Sequence, residues 1–272
     1  MKQHLLLITK PADDEMEDNA ILVAGLKRSI EITLCAPEQS VALLSGAHIV
    51  LLRNIRTSRI SHAELKSLFH AISASGTPCY NPVAGHELKD KSYLALLTRL
   101  GYPVIPSITD KKELNLLGQA ERYLLKPLWS DSSQGIRSCD AARLAQEDMQ
   151  KCVIQPYVTF DAEVSFFFID NIFVYALRSK AHRWDLALWT PPAVLIDWAQ
   201  QFVAWRKMPY GLLRIDAAQL ANGQLLLMEI EDLAPFLSLQ VLPQDIRGHI
   251  IEKLAASLLA QASKSLPHPT AL

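Results

Sequence analysis

Short apolar runs alternate with longer amphipathic ones through the first eighty residues. HLLLIT (4–9), EITLCA (31–36) and HIVLLR (48–53) are rich in leucine and β-branched residues, as buried strands are. EDNAILVAGLKRS (17–29) and SHAELKSLFHAISASG (61–76) carry apolar residues at helical spacing, the second closed by glycine. That alternation predicts a small open parallel sheet. CYNPVAG (79–85) then reads as loop.

The pattern changes after residue 80. DKSYLALLTRLG (90–101) is a helix capped by Asp90 and ended by Gly101, and YPVIPSI (102–108) is extended and proline-punctuated. RYLLKP (122–127) and CVIQPYV (152–158) read as strands. EVSFFFIDNIFVYALRSK (163–180) is a hairpin with Asp170-Asn171 at its tip. AVLIDWAQQFVAW (193–205) is helical, Trp184, Trp189, Trp198 and Trp205 are expected in packing rather than base stacking, and IRGHIIEKLAASLLAQASK (246–264) is a closing amphipathic helix. The predicted organisation is an α/β chain of three parts: 1–80, 81–158 and 159–265, with a tail at 266–272.

Between the last two helices lies LLRIDAAQLANGQLLLMEIEDLAPFL (212–237), an apolar hairpin seeded with charge. Asn222-Gly223 favours a two-residue type I′ turn. In that register Asp216 faces Glu229 and Arg214 faces Glu231, all four on one side, while Leu213, Ile215, Leu226, Met228 and Ile230 take the other. Facing carboxylates repel unless something positive lies between them, and oxygen donors of this kind suit Mg2+. From the hairpin alone, an exposed sheet face with ordinary Arg–Glu pairing is the favoured reading, since charges on an open face are common.

Composition narrows the function. The 272 residues carry a net charge of −1, which gives no footprint for nucleic acid or an anionic membrane. The N-terminal apolar run is too short for a signal peptide, and no run reaches membrane-spanning length. Cys35, Cys79, Cys139 and Cys152 are scattered, as reduced thiols of a cytoplasmic protein would be.

Several motifs, taken in order, resemble the ATP-grasp superfamily. R-x-D, a turn and E-x-E (Arg214, Asp216, Glu229, Glu231) are similar to its metal-binding end, followed by EIEDLAPFL. Lys91, ahead of the helix and the G-x-P-V-x-P segment, resembles the first nucleotide-binding lysine, and Lys126 in YLLKPLWSDSSQGI the second. VIQPYV resembles the adenine hinge (Gln155, Pro156, Tyr157, Val158), and DAEVS places Glu163 and Ser165 near nucleotide or substrate. VLLRN (50–54) and Asn81-Pro82 look like segments of the cycloserine-forming cyclo-ligases, and glutathione-synthetase-like ligases are similar too. Ala234-Pro235 stands where the family usually has Glu-Pro, and the loop after Pro127 is serine-rich.

The resemblance implies an ATP-grasp fold, with a small parallel-sheet domain followed by two α+β subdomains clasping ATP. It implies a ligase joining a carboxylate to an amine through an acyl phosphate on a small amino-acid-like substrate. That ligation is intermolecular or ring-closing, in secondary-metabolite (antibiotic) biosynthesis. Lys91, Lys126, Ser130 and Ser133 would hold phosphates. Asp216, Glu229 and Glu231 would hold Mg2+ or Mn2+, and Arg214, Arg183 and Lys180 would stabilise the acyl phosphate. The alternative is a catalytically weak nucleotide-binding protein of the same fold. Nucleic acid and membrane are not expected partners, and the protein is expected to be a monomer or homodimer.

Overall fold

The computed structural model describes residues 2–10, 15–55, 60–83, 90–130, 134–144, 146–147, 150–179 and 185–264. Strands β1 (His4–Thr9), β2 (Glu31–Cys35), β3 (Ile49–Arg53) and β4 (Cys79–Tyr80) form a parallel sheet in the order β2-β1-β3-β4. Helices α1 (Met16–Leu26), α2 (Pro37–Ser40) and α3 (His62–Ser75) connect them. Ser61 caps α3, its hydroxyl accepting from Glu64 N–H while the Glu64 carboxylate accepts from Ser61 N–H. The fourth strand corrects the loop expected at Cys79-Tyr80: both residues are buried and pair with Val50 and Leu51, and the chain turns only at Asn81, at φ 65°.

The middle of the chain contributes α4 (Tyr93–Arg99) and an antiparallel sheet ordered β6-β5-β7, with α5 (Ala141–Leu144) after β6. Here β5 is Arg122–Pro127, β6 Arg137–Asp140 and β7 Cys152–Pro156. Neither β6, four residues long and mostly exposed, nor the four-residue α5 was foreseen. Asp90 accepts from Ser92 N–H at 2.9 Å, so the acid marks the approach to α4 and not its first turn.

The largest sheet is antiparallel, ordered β10-β9-β8-β11-β12. Its strands are β8 (Ala162–Ile169), β9 (Ile172–Ser179), β10 (Leu186–Trp189), β11 (Leu212–Gln219) and β12 (Leu225–Glu231), with α6 (Ala193–Arg206) and α7 (Gln244–Ser263) beside them. Asp170 and Asn171 both have positive φ at the first hairpin tip, as a type I′ turn demands. Alternation splits this sheet by face. Phe166, Phe168, Leu213, Ile215 and Ala217 pack with Phe202 of α6 and Leu94 of α4. On the opposite face Phe167, Leu177 and Leu212 share a core with Leu5, Leu22 and Leu51 of the N-terminal part and Leu254 of α7. Trp198 and Trp205 pack beside the α6 core, as the sequence predicts.

The second hairpin reaches its predicted register by a different route. Its loop is longer than two residues: Leu220 N–H bonds to Gln224 C=O at 2.9 Å, with Gly223 at φ 84°. That displaces the ladder by one position, so Ala217 faces Leu227. A bulge between Asp216 and Ala217 restores it, and Asp216 faces Glu229 and Arg214 faces Glu231. Leu225 and Leu227, not Leu226 and Met228, therefore join the core on the far face.

One buried joint locks the N-terminal sheet to this hairpin. Asn81 donates to Leu212 C=O at 2.6 Å and Asp232 C=O at 2.7 Å, and accepts from Leu212 N–H at 2.7 Å. Gly211, at φ 133°, permits that approach: a Cβ there would lie 2.6 Å from Asn81 Oδ1. Tyr80 hydroxyl adds bonds to Asp170 at 2.9 Å and Ser257 at 2.8 Å. Asn81→Ala strands three buried backbone groups and is expected to cost about 2–4 kcal/mol in urea unfolding; an unchanged midpoint would refute the joint.

Candidate nucleotide and metal site

The charged hairpin end is built around Arg214, whose fork is filled by three neighbours. Nε donates to Asp216 at 2.9 and 3.1 Å, and Nη2 to Asp216 at 2.8 Å. Nη2 also lies 3.1 Å from Glu231 Oε1, and Nη1 donates to Phe236 C=O at 3.0 Å. Ser165 hydroxyl, directly across from Asp216 on β8, donates to Asp216 at 2.7 Å. Burial opposes the charge on Arg214, but Asp216 and Glu231 outweigh it and push its pKa up.

Glu229 finds its cation elsewhere. Lys91, just before α4, lies 3.0 Å from Glu229 and also donates to Ser130 C=O. Lys91 N–H bonds to Leu128 C=O at 3.0 Å, so this one residue ties the loop after β5 to the carboxylate end of β12. Tyr93, two residues on, accepts the N–H of Ile230 at 2.7 Å and so pins β12 between Glu229 and Glu231. DKSYLALL reads only as helix, and nothing in its spacing singles out Tyr93.

Among the described residues Lys91 and Arg214 are the cations paired with Asp216, Glu229 and Glu231. At Glu231 burial raises the pKa, Arg214 opposes that, and Glu229 and Asp216 add to it, leaving it pushed up to about 7. Among the described residues no three His, Cys, Asp or Glu side chains converge as a ready-made metal cage. The donor set nevertheless fits Mg2+, which takes one or two carboxylates and completes its shell with water and phosphate oxygens. Glu229 and Glu231, each about one-third exposed, meet Lys91 and Arg214 at Oε1. Asp216, 7% exposed, already accepts from both Arg214 and Ser165.

The remaining candidates fall into place unevenly. Lys126, opposite Val153, projects from the face of β5 opposite the small core of Tyr123 and Leu125. Ser130 donates to Pro127 C=O at 3.2 Å. In the expected hinge, Gln155 is buried and donates to Ser107 at 2.8 Å, and Pro156 has no N–H. Tyr157 N–H bonds to Arg122 C=O at 2.8 Å, and its half-exposed ring sits under the Arg122 guanidinium at 4.8 Å. Val158 follows, half-buried. Glu163 shares the face of Ser165 and Asp216, its N–H held by Ser179 at 2.8 Å. Ser133, Lys180, Arg183 and Trp184 lie outside the described residues.

The segment 103–108 straps these parts together. Ile105 N–H bonds to Leu227 C=O at 3.0 Å and Leu227 N–H to Pro103 C=O at 2.9 Å, while Ile108 exchanges two bonds with Ile154 of β7. Trp129, in the loop after β5, stacks on His62 at the start of α3 at 4.5 Å. All three sheets therefore send residues toward one end of the hairpin.

No protein-family description matches the sequence, and no curated protein does either. Solved structures match over nearly the whole chain. D-cycloserine synthetase DcsG is 19% identical with a TM-score of 0.74, over 93% of this chain and 99% of that one. The ATP-grasp ligase PsnB, complexed with minimal precursor, Mg and ADP, is 17% identical with a TM-score of 0.63, covering 95% and 98%. D-alanine–D-alanine ligase from Bacillus anthracis, complexed with ATP, is 13% identical with a TM-score of 0.67, covering 97% and 98%. The chain has the ATP-grasp fold, as the ordered motifs imply. Among the described residues no helix is long and apolar enough to cross a membrane.

Removing Arg214 leaves Asp216 buried beside Glu229 and Glu231 with Ser165 as its remaining donor. Arg214→Met is expected to lower unfolding free energy by about 3–5 kcal/mol in urea denaturation, the usual cost of breaking a buried ion pair. A loss below about 1 kcal/mol would show the fork to be an exposed-type pairing.

Proposed function

We propose that this protein is an ATP-dependent carboxylate–amine ligase acting on a small amino-acid-like substrate. One observation carries the reading: Lys91 joins the loop after β5 to Glu229, at the hairpin end that holds Arg214, Asp216 and Glu231. Cations and carboxylates thereby meet at one place, which supports a site for phosphates and a divalent metal on a fold shared with ligases solved with ATP and with Mg and ADP. The likeness to a D-cycloserine synthetase supports a small substrate and ring closure, which gains from holding both ends of one molecule together.

In this reading Lys91 and Lys126 neutralise the phosphates of ATP, with Ser130 beside them on the covering loop. The stretch Gln155 to Val158 lines the base; with Tyr157 N–H bound to Arg122 C=O and Gln155 paired with Leu124 in the ladder, Pro156 C=O and Val158 N–H are the groups offered to the adenine edge. Asp216, Glu229 and Glu231 would hold Mg2+, or Mn2+ with the same oxygen donors, and the metal would neutralise charge on the β- and γ-phosphates. The substrate carboxylate attacks the γ-phosphorus and ADP departs, leaving an acyl phosphate. The amine then displaces phosphate and loses a proton. Arg214, whose fork is held rigid from three sides, is aimed at the charge that spreads over the transferring group. Lys180 and Arg183 are proposed to assist it.

Amino acids and amino or hydroxy diacids, screened for substrate-dependent ADP release, test the proposal. ADP and phosphate are the expected products; AMP and pyrophosphate would sink the acyl-phosphate route. Glu229→Gln is expected to cut kcat by about 10²-fold or more with the fold intact, and near-normal turnover in that variant would remove Glu229 from the metal site.

A further inference from the structure

The segment after β12 is held by a side-chain pair that the hairpin chemistry leaves unexplained. Asp18 of α1 and Arg53 at the end of β3 form an ion pair at 2.9 Å, both side chains 0% exposed. Such a pair contributes little net stability once the cost of desolvating both ions is counted, so its burial calls for another reason. Their remaining bonds supply one. Arg53 donates to Pro235 C=O through Nη1. Asp18 accepts from Leu239 N–H at 2.6 Å and from Leu237 N–H at 3.4 Å. Tyr175 hydroxyl donates to Leu237 C=O at 2.6 Å. The carbonyl enclosed by these contacts, Phe236 C=O, accepts from Arg214 Nη1 at 3.0 Å.

Residues 235–239 are therefore bolted on one side to the parallel sheet and α1, and on the other to the guanidinium of the charged hairpin. Ser238 sits in the left-handed region at φ 53°, a conformation that a non-glycine residue keeps only where its surroundings impose it. Ala234, just before the segment, brings no charge to Arg214, and the backbone carbonyl of Phe236 supports the guanidinium there.

We infer that Asp18 and Arg53 are positioning residues for Arg214, acting through the backbone of Pro235 to Leu239. The N-terminal part of the chain thus fixes the orientation of the guanidinium that the ligase reading places on the transferring phosphoryl group. The inference rests on that reading for its catalytic consequence, but the mechanical link is measurable without turnover.

In uniformly 15N-labelled protein the Arg214 Nε–H signal is identified by its loss in Arg214→Met. Native-state hydrogen exchange in the wild type is expected to give this proton and Leu239 N–H one shared opening free energy, because Nη1 of the same planar fork is held by Phe236 C=O, in the segment that Asp18 holds at Leu239. Asp18→Asn, nearly isosteric, is expected to speed Arg214 Nε–H exchange about tenfold or more, while Arg206 Nε–H, bound to Asp232, keeps its wild-type rate. With a turned-over substrate, Asp18→Asn and Arg53→Lys are expected to lower kcat by about 10²-fold and leave KM for ATP within about twofold. Independent opening of the two protons in the wild type would overturn the inference, as would an unchanged Arg214 signal in either folded variant. A wild type that releases no ADP on any substrate overturns the ligase reading alone, and the exchange data still decide the link.

Discussion

The fork of Arg214 on Asp216 is the constraint that orders the rest. A guanidinium donates in fixed directions and has no acceptor, so each partner must arrive where the fork points. Asp216 comes from the same strand two residues on, Glu231 from the strand across, and Phe236 C=O from the segment beyond. A one-residue slip of β12 would turn Glu229 and Glu231 into the core of Phe202 and Leu94, and Ile230 out among the charges. The register is thus specified twice, by apolar packing on one face and by the fork on the other. Tyr93 adds a third restraint where it meets Ile230 N–H.

The same cluster crowds carboxylates together. Water would ordinarily screen them, but this end of the sheet is flanked by α4, the strap at 103–108 and the segment 235–239. Glu231 has a raised pKa, with burial the first cause, Arg214 opposing it, and Glu229 and Asp216 adding to it. A group of oxygen donors crowded in this way is where a divalent cation gains most.

Much of this was legible in the residues, and the failures have physical causes. Short apolar runs located three of the four strands of the parallel sheet, Cys79-Tyr80 being too short to stand out from a loop, and the turn residues at their tips marked both hairpins. Alternation placed Asp216 opposite Glu229 although the wrong turn was assumed. The longer loop shifts the ladder one way and the bulge at Asp216 shifts it back, and neither leaves a trace in an alternation pattern. The same pair of irregularities put Leu226 and Met228 on the wrong face. Tyr93, Asp18 and Arg53 were out of reach for a different reason. Each acts on a backbone group far away in sequence, up to Leu239 from Asp18, and side-chain chemistry alone does not announce a backbone partner. Asp18 sits in an acid-rich helix start where a solvated charge is the ordinary expectation, and only its complete burial marks it.

The contacts around the site differ in kind according to which sheets they join. The parallel sheet and the large antiparallel sheet share one apolar core, reinforced by the buried bonds of Asn81, Tyr80, Asp18 and Arg53. Separating them would expose charge and strand backbone groups, so they behave as one body. The small sheet of β5, β6 and β7 is tied to that body by the strap, the Trp129–His62 stack and the bonds of Lys91. Of these, the Lys91–Glu229 pair is the tie whose partners are both charged and exchangeable: another anion can take the lysine and another cation the glutamate. In the proposed reading a nucleotide with its metal would offer both at once, replacing one ion pair by two without stranding either charge. The link that holds the loop after β5 against β12 is in this way also the one a phosphate ligand is equipped to replace, while the Arg214 fork beside it stays held from the far side.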